Sequence, residues 1–446
     1  MGKTMQGRRL LRGGRIVDPS QDLDRVADLL IEDGRVAAIG EGLTPSADCD
    51  VIDATGKVVT PGLIDIHVHL REPGQEYKET VRSGLASAAA GGFTSVVCMA
   101  NTAPVNDNRS VTELILKQAD LYPYARVYPI GAISKGLKGE ELAPVGEMIE
   151  AGIVAISDDG LPVMNAALMR RALQYAQHYD VPVVQHAEDL DLTGPGVMHE
   201  GPWSTRLGLP GIPGLAEDVM VARDLLLSAD SGGRYHVAHL STGRSLAMVR
   251  EAKRRGVRAT CEVSPHHLLL TDEEVAKRQF DTATKMKPPL RSESDVEALR
   301  QGLVDGTVDA IASDHAPHHP DEKDLQFSLA PFGIVGLETT VGLCLDRLVH
   351  TGLIGLSRCV ELLSTGPARA FGLEGGTLAE GSVADVTLLD LEARRTVRAD
   401  RFESLSRNTP FEGWTLRGAA VGTLLGGEPV RLSPEGAGDT EDEDVG

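Results

Sequence analysis

The stretch Thr60-Pro-Gly-Leu-Ile-Asp-Ile-His67-Val-His69-Leu-Arg71 joins an apolar run to two histidines at i, i+2 and an arginine two residues further on. The run reads as a buried strand. Side chains along a strand alternate faces, so His67 and His69 point the same way. Two imidazoles side by side at a strand end are half a site for a divalent metal. Similar groups recur down the chain: Ser157-Asp158-Asp159-Gly160, His186, His239, and Asp314 followed by His315-Ala-Pro-His318. One ion takes about four ligands, so six ligands with one carboxylate shared would hold two ions. A metal pair makes a water nucleophilic near neutrality and polarises a carbonyl. A further carboxylate can carry the proton from nucleophile to leaving nitrogen. Together this is the chemistry of amide or imide ring hydrolysis.

These residues work as a group only if the fold brings them together. Eight apolar strand candidates run over 62–67, 93–99, 126–133, 153–157, 181–186, 235–239, 257–263 and 308–313. Amphipathic stretches at 79–90, 164–178, 215–228, 241–255 and 293–304 separate most of them, and Gly91-Gly92 is a natural stop for the first. Eight strands alternating with helices predict a (β/α)8 TIM barrel, whose strand C-termini converge on one mouth. His67, His69, the Asp158-Asp159 pair, His186, His239 and Asp314 all stand at such ends. An open doubly wound sheet would give no reason for eight strands, and no GxGxxG follows the first. Residues 8–60 and those after about 370 are β-rich, and we expect the two ends to pair as a small β-sandwich. The expected division is 1–60 and 371–432 for the sandwich, 61–370 for the barrel, and 433–446 as a disordered acidic tail.

Taken singly, each residue has a plainer reading: a histidine at a strand end is usually a hydrogen-bonded structural group, and an aspartate there a helix cap. His236 is expected to face away from His239, and His178, His199 and His350 to be surface or packing residues. The joint pattern resists that reading, because burying so many imidazoles and carboxylates together without an ion is costly.

At 446 residues and 41% hydrophobic, the chain can bury a large core. A net charge of −21 argues against a nucleic-acid partner. No apolar run is long enough to span a membrane, and the N-terminus carries charge without the apolar core of a signal peptide. Met1-Gly2 lacks the downstream Ser or Thr of a lipidation site. Five scattered cysteines without a CxxC pair suggest reduced thiols and a cytoplasmic protein.

The motifs Asp65-Ile-His-Val-His-Leu-Arg-Glu-Pro-Gly74, Met99-Ala-Asn-Thr102, Ser157-Asp-Asp-Gly160, His186-Ala-Glu188, Val237-Ala-His-Leu-Ser-Thr242, Glu262-Val-Ser-Pro-His-His267 and Ser313-Asp-His-Ala-Pro-His318 resemble, in order, those of the amidohydrolase superfamily. More narrowly they resemble class I dihydroorotases of the bacterial type. The resemblance implies a binuclear zinc centre (two Zn2+ per subunit): His67, His69 and Asp314 on one ion, His186 and His239 on the other, and Asp159 bridging. Motif alignment, not spacing, selects Asp159 over Asp158. Asp314 would also be the catalytic acid and base. Arg71, Asn101 and His318 would bind a substrate carboxylate, with His69 and the Phe332-Gly333 backbone also against substrate. The implied reaction interconverts N-carbamoyl-L-aspartate and dihydroorotate in pyrimidine synthesis. Residues 314–331 are expected to form a mobile lid. One departure is Lys287, in Lys285-Met-Lys287-Pro-Pro-Leu-Arg291, where the family has asparagine. As a cation it can serve an anionic substrate or point to solvent. Hydantoinases, dihydropyrimidinases and allantoinases share the His-x-His but generally carry lysine where Asp159 stands. Some relatives have lost metal ligands and serve as scaffolds for aspartate transcarbamoylase, a possible partner here. A homo-oligomer is also expected.

Overall fold

The computed structural model of the chain describes residues 7–44 and 48–432. The first N-terminal residues and the acidic segment 433–446 lie outside the described residues. Eight parallel strands follow one another in chain order: Leu63–Val68, Phe93–Cys98, Arg126–Gly131, Ala155–Ser157, Val183–Gln185, Tyr235–Val237, Ala259–Val263 and Ala310–Ile311. The sheet closes on itself beyond the last strand, where Val68 bridges His315 and the His69 amide donates to the His315 carbonyl at 2.9 Å. This is the expected (β/α)8 barrel.

Helix signals in the sequence become helices for identifiable reasons. Thr80 caps Val81–Gly91 by accepting from the Ser83 amide, and Gly92 ends it at φ 95°, where a Cβ would be strained. Ala166–His178 buries Leu168, Met169, Ala172, Leu173 and Ala176, the three-and-four spacing of one helical face. Such faces pack on the outer side of the strands as the largest core of the molecule. The barrel interior is a separate core of Ile64, Ile66, Val97, Met99, Ile130, Val184 and neighbouring alanines, with Phe371 from helix Gly366–Phe371. The interior is therefore packed solid below the level of the candidate ligands.

The chain's two ends form one hydrogen-bonded sheet. Arg8–Asp18 pairs antiparallel with Leu23–Glu32 and parallel with Val58–Pro61. Val58–Pro61 in turn pairs antiparallel with Val386–Thr396, which continues to Thr415–Leu425. Leu11, Ile16, Leu29, Ile31, Val59, Leu378, Val386, Leu388 and Leu424 give this sheet its own core. Val58–Pro61 leads directly into the first barrel strand, so the small sheet sits beside the origin of the His67–His69 segment.

Candidate metal centre

Every candidate ligand is buried and stands at a strand end, His67 as the penultimate residue of the first strand and His69, Asp159, His186, His239 and Asp314 just past theirs. The two oxygens of Asp159 divide them. Oδ2 stands 3.5 Å from His67 Nε2 and 3.7 Å from His69 Nε2. Oδ1 stands 3.2 Å from His239 Nε2 and 3.6 Å from His186 Nδ1. Asp314 Oδ1 completes the first group, 3.5 Å from both His67 Nε2 and His69 Nε2. Donor atoms sharing a tetrahedral ion at about 2.0–2.1 Å would lie about 3.3–3.4 Å apart, so these spacings suit an ion in each group. His186 Nδ1 and His239 Nε2 face each other at 2.9 Å, which requires a proton or a cation between them. His67 Nε2 and His239 Nδ1 are buried without a hydrogen-bond partner. The orphaned His67 Nε2 beside Asp159 and Asp314, in a set of four imidazoles and two carboxylates, fits divalent metal.

The charges agree with that reading. Burial opposes ionisation of His67, but the carboxylates of Asp159, Glu262 and Asp314 outweigh it and hold the ring well above its ordinary value. Burial likewise works against the Asp159 carboxylate, yet His67, His186 and His239 bring it well below the usual range. Asp314 is held low in the same way by His67, His69 and His239. Both carboxylates are therefore ionised at neutral pH. Asp158 turns the other way, accepting from the Ser134 amide at 2.9 Å and from the Ser134 hydroxyl.

The residues expected to hold substrate surround the mouth. Asn101 Oδ1 pairs with His69 Nδ1 at 2.9 Å, which leaves His69 Nε2 turned toward Asp314. Arg71 is buried, and its Nε donates to the Pro317 carbonyl at 3.1 Å. His318 Nε2 donates to the Phe332 carbonyl at 2.8 Å, and burial together with Arg71, Lys323 and Lys78 holds the ring down to about 3, so it stays neutral. The Gly333 amide donates to the Lys285 carbonyl at 2.9 Å, and its φ of 130° with Ala316 close by leaves no room for a side chain. Lys287 does not stand alone. Its Nζ pairs with Glu188 Oε2 at 2.9 Å and lies over the Phe332 ring, and the same Glu188 oxygen meets His186 Nε2 at 3.1 Å. Two lysines hold the segment after Asp314, Lys323 from within it and Lys285 from the body. Lys323 donates to the Pro331 and Gly333 carbonyls at 2.9 and 3.0 Å, and Lys285 to the Phe327 carbonyl at 2.7 Å.

Two residues, Glu262 and Glu188, were given no role by the sequence. Glu262 is buried behind His67 and Glu188 behind His186, while His236, expected to be a structural histidine facing away from His239, is hydrogen-bonded to Glu262 and Thr260. A usable signal existed: a carboxylate or imidazole inside an apolar strand run demands partners. Arg71, His239 and Asp314 also adopt positive φ of 62°, 32° and 49°. Left-handed backbone at non-glycine residues costs on the order of 1–3 kcal/mol each and concentrates at functional sites.

Residues 56–245 match the family model described as dihydro-orotase-like. The chain is 55% identical to the dihydroorotase of Anaeromyxobacter dehalogenans over 94% of its own length and 97% of that protein's. It is 53% identical to the dihydroorotase of Geobacter metallireducens, over 94% and 99% of the two chains. Among solved structures it superposes on the L-hydantoinase (dihydropyrimidinase) of Arthrobacter aurescens with a TM-score of 0.86 at 27% identity, covering 97% of each chain. The dihydropyrimidinase of Brevibacillus agri NCHU1002 follows at 0.84 and 27%, covering 96% of this chain and 95% of that one. With relatives this similar along nearly its whole length, and with these residues gathered at the mouth of the barrel, the chain belongs to the dihydroorotase family.

Proposed function

We propose that the protein is a dihydroorotase of the bacterial class I type, interconverting N-carbamoyl-L-aspartate and dihydroorotate in pyrimidine synthesis. The observation that carries the reading is the division of the two Asp159 oxygens between His67–His69 and His186–His239. Identity above 50% to dihydroorotases supports the substrate. His67, His69 and Asp314 would hold one zinc, His186 and His239 the other, and Asp159 would bridge. Bound there, the ions would lower the pKa of a water and polarise the ring carbonyl.

The chain's own residues do the rest. In ring opening, Asp314, already ionised, takes a proton from the attacking water and returns it to the ring nitrogen as the amide bond breaks. In closure it takes the proton from the ureido nitrogen and gives it to the departing oxygen. Arg71 presents a planar fork suited to a carboxylate, and Asn101 offers its side-chain amide beside it, while neutral His318 would have to turn its one N–H from the Phe332 carbonyl to the substrate. The Phe332-Gly333 backbone would line the ring, and Lys287 would add positive charge at the mouth.

Asp314→Asn is expected to retain metal and to lose about 10²–10⁴-fold in turnover. A variant keeping most of its rate would dismiss Asp314 as the proton carrier. Chelation should abolish activity and zinc should restore it, with about two equivalents bound. The hydantoinase-like fold supports a second reading, a cyclic amidase acting on uncharged rings. Turnover of dihydroorotate compared with hydantoin and dihydrouracil separates the two, and preference for the uncharged rings would defeat the first. The same proposal includes a cytoplasmic location, in keeping with free and buried Cys98, Cys261, Cys344 and Cys359. It also includes homo-oligomerisation and a possible complex with aspartate transcarbamoylase, both testable by co-elution.

A further inference from the structure

Behind the metal-facing side of the site stands a carboxylate that none of the steps above uses. Glu262, on the seventh barrel strand, is 1% exposed. Its Oε1 meets His67 Nδ1 at 2.5 Å and accepts from the His239 backbone amide at 3.2 Å. Its Oε2 meets His236 Nε2 at 3.1 Å. The other nitrogen of His236 pairs with Thr260 Oγ1 at 2.7 Å, and the ring packs edge-on against Phe371 at 5.1 Å. A carboxylate accepts and does not donate, so His67 must carry hydrogen on Nδ1 and turn the lone pair of Nε2 toward Asp159 and Asp314. The same carboxylate takes the backbone amide of His239, where φ is 32° and the chain has left the strand, between Ala238 and Leu240, whose amides donate to the Gln185 and Glu262 carbonyls at 3.2 and 2.9 Å.

We propose that Glu262, itself held by His236, is a positioning residue for both halves of the metal centre. It sets the tautomer of His67 from the first strand and the backbone of His239 from the sixth. One carboxylate thereby links a ligand of each ion to a third buried imidazole deeper in the barrel. This rests on the metal reading given above and names residues outside the ligand set. The physical reason is tautomeric: a ligand histidine binds only through an unprotonated nitrogen, and the hydrogen bond at its other nitrogen decides which one that is.

Glu262→Gln is the direct test. The glutamine amide can donate to His67 Nδ1, favouring the tautomer with hydrogen on Nε2, the nitrogen that faces the metal. Zinc affinity is measured by chelator competition on the full chain, alongside melting of the metal-free protein. The expected result is zinc binding weakened about 10–100-fold. Glu262→Asp, which keeps the charge, should recover part of the loss. His236→Leu, which has no donor for Glu262, should weaken binding by a smaller factor by freeing Glu262 to move, and it decides the matter where the Glu262 variant does not fold. A purely structural role would lower the metal-free melting temperature and leave affinity unchanged. If the wild type binds zinc and either Glu262→Gln or His236→Leu folds and binds it equally well, this inference falls and the metal centre stands. A wild-type chain that binds no zinc removes both.

Discussion

Asp158 and Asp159 are adjacent in sequence and have opposite environments. Burial raises Asp158, although the Ser134 amide and hydroxyl stabilise its charge, whereas three imidazoles bring Asp159 far down. Nothing in Ser-Asp-Asp-Gly distinguishes them, because the deciding groups come from other strands. The four histidines and Asp314 were legible because strand ends in a barrel share one mouth. Glu262 and Glu188 were not, since each matters only through a histidine on another strand or beyond its own. Lys287 is the residue where sequence left two readings open, and its pairing with Glu188 now sets the terms of a test. At 24% side-chain exposure it can reach both Glu188 and the mouth, and Glu188 keeps His186 and Thr193 as other partners. Lys287→Met should therefore raise KM about tenfold, roughly 1.4 kcal/mol, while kcat changes little. A fall in kcat with unchanged KM, measured in steady state, would assign Lys287 to the His186 side instead.

At the level of elements, strand identity was readable from apolar runs, and strand ends less so. The sixth strand stops at Val237, and His239 lies beyond it on a turn with positive φ. A period-two pattern predicts pairing but cannot tell where the ladder gives way to backbone bent around a site. The helix Leu337–Cys344 shows how elements meet beneath the mouth. Glu338 in its first turn accepts from the Ser404 and Glu403 amides and from Ser87, tying helix Val81–Gly91 to the C-terminal segment. Burial raises this carboxyl to about 7 despite those donors. Because its folded pKa exceeds the unfolded value, the native state is favoured below about 4.5 and loses that advantage as pH rises through about 7. Ionisation then costs on the order of 3 kcal/mol. Glu338→Gln should flatten the fall in melting temperature between these limits. An unchanged pH profile in thermal denaturation would show that the carboxyl titrates normally.

The whole molecule carries a charge of −21, and its proposed substrate is also an anion. Arg71, Lys285 and Lys287 set positive charge at the mouth against that field, with Lys323, brought down to about 7 by burial and by Lys285, only partly charged. The Debye length shrinks from about 30 Å at 0.01 M salt to about 8 Å at 0.15 M, so long-range repulsion is screened before attraction at the mouth. For dihydroorotate, kcat/KM should first rise with ionic strength and then decline above roughly physiological salt. A steady decline from the lowest salt would mean the net charge has no influence on approach. The fold class was legible at this scale, since alternating strands and helices leave few arrangements. The pairing of Val58–Pro61 with Val386–Leu389 was legible only as a shared β texture at the two ends, because partners so distant in sequence leave no local signal. That pairing has a consequence for synthesis. As the chain leaves the ribosome, the strand feeding the first barrel strand has only its N-terminal neighbour to pair with. Its other edge, flanked by Val58 and Val59, waits until the entire barrel has been translated. The segment made first is therefore among the last to be completed, and the nascent chain carries an open sheet edge through most of its elongation.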